Sequence, residues 1–124
     1  MEQRPVSMQE FKDVLENRIE RMREVMAAKN AEYASGQDKC HNFNAAARVN
    51  DTTPEDALWG MYTKHLVSIM DLIGWVKTAP HKITRSLIDE KMGDAVNYHV
   101  LLEALLLALV RDRDGVLWVK PEEV

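Results

Sequence analysis

The sequence predicts an all-α protein: three long helices plus a short one, in a helix bundle completed by oligomerisation. Three observations predict it. Apolar residues recur every three or four positions through three long stretches. Start and stop signals bracket those stretches. Aromatic residues are only 6% of the chain while methionines number 7, which suits an aliphatic helical core. The 124 residues read as one domain with a core over 7–113 and an apolar tail over 116–124.

The first helix starts at Ser7. Ser7 and Glu10 have the S-x-x-E spacing of a capping box, and Val6 and Phe11 can form the accompanying staple. Met8, Phe11, Leu15, Ile19, Met22 and Met26 then make one apolar stripe. Gly36 offers a stop. Residues 35–53 read as a loop, with one short turn of helix over 44–48. Thr53-Pro54-Glu55-Asp56 is a helix start, with a cap, a proline in the first turn and two acids near the positive end of the dipole. That helix runs to about residue 77, and its apolar face includes Leu58, Met61, Tyr62, Ile69, Leu72, Ile73 and Val76. The last long helix begins near Thr84 or Ser86 and ends after Arg113, with Gly115 as its stop. Val116-Leu117-Trp118-Val119 reads as a docking tail or a short β-arm.

Composition excludes some classes of function. Apolar residues are 46% and charged residues 29%, the balance of a globular chain. The net charge of −4 argues against generic nucleic-acid binding, which needs a basic surface. The single cysteine, Cys40, allows no internal disulfide and no cysteine-based zinc site. A reduced, cytoplasmic setting is the expectation. The N-terminal residues lack the apolar stretch of a secretory signal. The most apolar window, 100–110, is interrupted by Glu103 and reads as a buried helix rather than a membrane span. Its apolar surplus points to an interface with another copy of the chain, a homo-oligomer.

Polar residues on these apolar helices carry the functional signal. Lys64, Ser68 and Asp71 are spaced four then three apart, with His65 beside them. Glu90, Asp94 and Asn97 repeat that spacing on the last helix. If the two stripes face each other, Asp71, Glu90 and Asp94 form a carboxylate cluster. Oxygen ligands on facing helices are what Mg²⁺ or Mn²⁺ needs. Each stripe alone also fits a solvated helix face.

A second cluster flanks the loop. Lys29, Glu32 and Tyr33 end the first helix, and His41, Asn42, Phe43 and Asn44 follow. Amides can read a nucleobase edge while an aromatic ring stacks on its face. Lys29 or Lys39 would reach a phosphate. The alternative is turn chemistry, with Phe43 anchoring the loop in the core. His99 and Glu103, one turn apart, read as a polar pair or an interface contact.

The pattern Lys29-x-x-Glu32-Tyr33, His41-Asn42-Phe43, Lys64-His65 and Glu90-x-x-Gly93-Asp94-x-x-Asn97-Tyr98 resembles small phage and bacterial proteins of the nucleotide-modification-associated domain type. The resemblance covers roughly residues 26–107. More distantly, the Gly93-Asp94 helix is similar to that of the MazG-like all-α NTP pyrophosphohydrolases. Those families are helical and oligomeric, and cleave nucleoside triphosphates with Mg²⁺ held by acids. Two departures stand out. Lys91 occupies the position three before Asp94, with the acid Glu90 at four before, and Lys64, Ser68 and Asp71 stand where a Glu pair is expected.

The resemblance implies a nucleotide-binding protein with two alternatives. One is a Mg²⁺-dependent pyrophosphohydrolase: Asp71, Glu90 and Asp94 hold metal, Lys64 binds phosphate and His65 binds phosphate or carries a proton. Asn42 and Phe43 contact the base, with Lys29, Tyr33, His41, Ser68 and Asn97 completing the pocket. The other is a non-catalytic protein that sequesters a nucleotide or nucleotide-derived signal. A purely structural bundle is a third reading.

Overall fold

The computed structural model describes residues 3–32 and 38–122, with the side chains of 28–32 left aside. Among the described residues there are four α-helices and no strand: α1 (Met8–Glu32), α2 (His41–Asn50), α3 (Pro54–Thr78) and α4 (Arg85–Asp114). A 3₁₀ turn, Pro80–Lys82, joins the last two. The all-α expectation holds. The expected stop at Gly36 lies outside the described residues. The chain divides into two compact units, 1–37 and 38–124.

The first unit carries α1. Its N-terminus is the expected capping box. The Glu10 amide donates to Ser7 Oγ at 3.0 Å, and the Ser7 amide donates to Glu10 Oε1 at 3.0 Å. Val6 and Phe11 are both exposed, as are Met8 and Leu15 of the apolar stripe.

The second unit is built on α3, which packs against both α2 and α4. Three of its helix ends follow local chemistry. Thr53 caps α3 by accepting from the Asp56 amide, and Thr84 caps α4 by accepting from the Leu87 amide. Gly115 ends α4 in the left-handed region at φ 87°, its amide donating to the Arg111 carbonyl.

Helix α2 is longer than the expected turn, ten residues within the segment read as a loop. Its start is organised from outside the helix. Asp38 accepts from the Cys40 amide at 2.9 Å with one carboxylate oxygen and from Asn44 Nδ2 at 3.0 Å with the other. Its end is a left-handed Asp51 at φ 51°.

The core gathers Cys40 and Phe43 from α2 and its cap, Leu58 from α3 and Leu105 from α4. Tyr62, Tyr98, Leu101 and Leu102 pack around them. Leu58 is 0% exposed. Two residues expected on the apolar face of α3, Met61 and Ile73, are instead exposed. Helix α4 also departs from its expected burial. By length and composition it could cross a membrane, and only 17% of its most apolar window is buried. Within residues 100–110 Leu105 alone is buried. The tail residues 116–119 are exposed and form no strand.

Candidate functional site

Helix α3 turns Leu58, His65 and Leu72 toward the rest of its unit. They are seven residues apart, close to two turns, so they share one face. His65 is the polar member of that row. Its Nδ1 lies 3.7 Å from Asp94 Oδ2 on α4. Its ring stacks, tilted by 32°, on Tyr98 at 4.7 Å between centroids. Tyr98 in turn meets the edge of Phe43 at 6.1 Å. A row of side chains therefore runs Asp94, His65, Tyr98, Phe43 across α4, α3 and α2.

Asn97 lies one turn beyond Asp94 on the same helix. It is 4% exposed, the one buried polar residue among those described. Its Oδ1 is fully buried and accepts no hydrogen bond among the described residues. An orphaned amide oxygen costs about 1–3 kcal/mol, so it marks either strain or a position for a donor from outside. His65 and Asp94 beside it are partly open to solvent. Asp94 Oδ2 faces Nδ1 from beyond hydrogen-bond distance, and among the described residues neither ring nitrogen makes a hydrogen bond. Together these groups offer one acceptor, one orientable imidazole and one carboxylate.

The remaining expected residues are placed as follows. Lys64 and Asp71 each precede a residue of the inward row, about 100° round the helix, and both are exposed. Ser68 donates its hydroxyl back to the Lys64 carbonyl at 3.3 Å. Glu90 is largely exposed and sits 3.6 Å from Lys91 Nζ. The structure thus brings His65, Asp94 and Asn97 to one seam, but does not bring Asp71 and Glu90 together with Asp94. Among the described residues no three His, Cys, Asp or Glu side chains lie close enough to hold a metal ion.

His41 and Asn42 are exposed at the start of α2. Phe43 is in the core, the anchoring role rather than an exposed stacking one. The Lys29 side chain and Tyr33 lie outside the described residues. His99 pairs with Tyr62, whose hydroxyl is 3.2 Å from the ring Nδ1, rather than with Glu103. The Cys40 thiol is pushed above its ordinary value by burial, with the Asp38 charge adding to the effect, so it is a poor nucleophile.

Sequence reasoning missed Tyr98 and Asp38 as organising residues. The signal for Tyr98 is its place four after Asp94, one turn along the same face. That for Asp38 is an acid just before a run containing three alanines.

No family model, curated protein or solved structure matches the chain.

Proposed function

We propose that the protein binds a nucleotide or nucleotide-derived small molecule at the seam of α3 and α4. The observation that carries the reading is Asn97 Oδ1, buried without a donor one turn from the His65–Asp94 pair. A carbonyl oxygen needs an N–H or O–H. An ionised phosphate has neither, whereas a nucleobase amino or imino edge and a sugar hydroxyl have both kinds. His65 is the group for the phosphate side: a protonated imidazole can donate one N–H to Asp94 and the other to a phosphate oxygen. The resemblance of Glu90-x-x-Gly93-Asp94-x-x-Asn97-Tyr98 to nucleotide-handling helices supports the same ligand class.

Binding without turnover is the reading favoured here, because Lys91, Lys64 and Ser68 stand where the resembling families carry acids. Hydrolysis at the α–β linkage remains the alternative that the resemblance adds.

Titration calorimetry of the full chain against ribo- and deoxyribonucleoside triphosphates, with and without Mg²⁺, tests the proposal. Saturable heat with the nucleotide recovered intact is the expected result. Pyrophosphate release that Asp94→Ala abolishes would establish the hydrolytic alternative. No heat with any nucleotide in either condition would overturn the proposal.

A further inference from the structure

An open cavity lies at the end of the second unit where α2 and α3 begin and α4 finishes. Its walls come from residues of the 38–124 unit, and its volume is about 650 Å³. Sites for small molecules run from about 300 to 1,000 Å³. Glu55 on its wall precedes His65 by ten residues of α3, about 15 Å along the axis, so the cavity is separate from the nucleotide reading.

One part of the wall is apolar. Leu105 is 7% exposed, and Ala104 and Ala108 lie beside it, one turn apart on α4. Side chains this short leave space that larger ones would fill. Leu109 and Leu117 extend the apolar wall outward.

The rest of the wall is negative. Three carboxylates, Asp38, Glu55 and Asp112, stand against one cation, Arg111. Arg111 is taken up by its neighbour, with Nε and Nη2 both donating to Asp112 Oδ1 at 3.2 Å. Asp38 accepts from two neutral donors, the Cys40 amide and the Asn44 side chain. Glu55 is half-buried, and among the described residues it has no hydrogen bond or ion pair. The starts of α2 and α3 favour acids, but each helix end supplies only about half a charge. Two carboxylates therefore face the cavity with too little positive charge to balance them.

Cys40 borders the same space. It is 8% exposed, and its thiol has no partner among the described residues. Burial pushes the thiol up, the Asp38 charge adds to it, Lys39 pulls back and Glu55 adds again, so the fields of both carboxylates reach one sulfur. A neutral thiol behaves as a small apolar group and suits a hydrocarbon neighbour.

An anion in this cavity would meet two carboxylates. A wholly apolar ligand would cover the Glu55 charge without pairing it, which is costly. We propose that the cavity binds a small organic cation, an ammonium on a hydrocarbon body, with its charge held by Asp38 and Glu55 and its body against Leu105, Ala108 and Leu109.

Hexylammonium, hexanol and hexanoate share one hydrocarbon chain and differ in charge. Titrating each into the full chain, followed by amide NMR, tests the proposal. Hexylammonium should shift the Cys40, Asn44 and Ala108 amides saturably, with hexanol weaker by about tenfold and hexanoate weaker still. Glu55→Gln should weaken hexylammonium by about tenfold and leave hexanol unchanged. Ala108→Phe should fill the cavity and abolish both. The amides of His65 and Asp94 should stay still throughout, and their unchanged positions report that each variant is folded. No saturable shift at the cavity would overturn the proposal. So would equal affinity for the three compounds, or a hexylammonium affinity that ignores both Glu55→Gln and Ala108→Phe.

Discussion

His65 of α3 and Asp94 of α4 face each other across the seam of two helices, imidazole Nδ1 3.7 Å from carboxylate Oδ2. The pair is half-open to solvent, so it adds little to folding. Partly exposed ion pairs contribute about 0–1 kcal/mol. Asp94→Ala should therefore leave the urea midpoint nearly unchanged. It should lower nucleotide affinity by about tenfold, the loss of one charge-assisted contact. Calorimetry and urea denaturation of the same variant separate the two effects.

Leu58 is the fully buried residue at the meeting point of α2, α3 and α4. Leu58→Ala removes its side chain from a closed site and should cost about 2–5 kcal/mol. Met70→Ala, on the exposed side of the same helix, should cost less than about 1 kcal/mol. Urea unfolding at low protein concentration gives both values. Equal costs would mean that the inward and outward faces are misassigned.

The helix ends of the second unit rest on single residues. Thr53→Ala and Thr84→Ala each delete a side-chain acceptor for an otherwise unpaired amide and should cost about 1 kcal/mol. Gly115→Ala forces a side chain into the left-handed region at φ 87° and should cost about 1–2 kcal/mol. Thermal melts of the three variants check the order of magnitude.

Glu10 has its carboxyl held below the ordinary value of 4.5, first by the hydrogen bond from the Ser7 amide and then by the Ser7 side chain. A depressed folded value means that the stabilising charge is present above the unfolded value and lost as pH falls through the folded one. The amide proton of Ser7 should report this directly by NMR, its shift titrating with a midpoint below 4.5. Glu10→Gln should remove the titration.

How much of this was legible in the sequence varies with the range of the interaction. The ends of α3 and α4 were legible because a cap is made within three residues, as Thr53 to Asp56 and Thr84 to Leu87 show. Helix α2 was not. Its start depends on Asp38 reaching both Cys40 and Asn44, and its anchoring depends on Phe43 meeting Leu58 and Leu105 from distant parts of the chain. The site was half-legible for a related reason. Spacing identifies which residues share a helix face but not which face meets a neighbour. Lys64 and Asp71 have the spacing of one face, and His65 has the sevenfold place between Leu58 and Leu72 that turns it inward. The buried apolar character expected of residues 100–110 did not follow, since within its own unit α4 packs against α3 and the Phe43 end of α2 along one side.

The orphaned oxygen of Asn97 separates a binding seam from an ordinary helix contact. Asn97→Leu replaces an unpaired buried amide by an apolar group of similar size. It should stabilise the ligand-free protein by about 1 kcal/mol or more. The most direct test of the account is a thermal-shift measurement of wild type and Asn97→Leu with nucleoside triphosphates in excess. A ligand at a hundred times its dissociation constant adds about 2.7 kcal/mol to the native state. The wild type should then melt several degrees higher with at least one nucleotide. Asn97→Leu should start higher and shift little. A wild type whose melting temperature no nucleotide moves, or an Asn97→Leu protein that shifts as much as wild type, would contradict it.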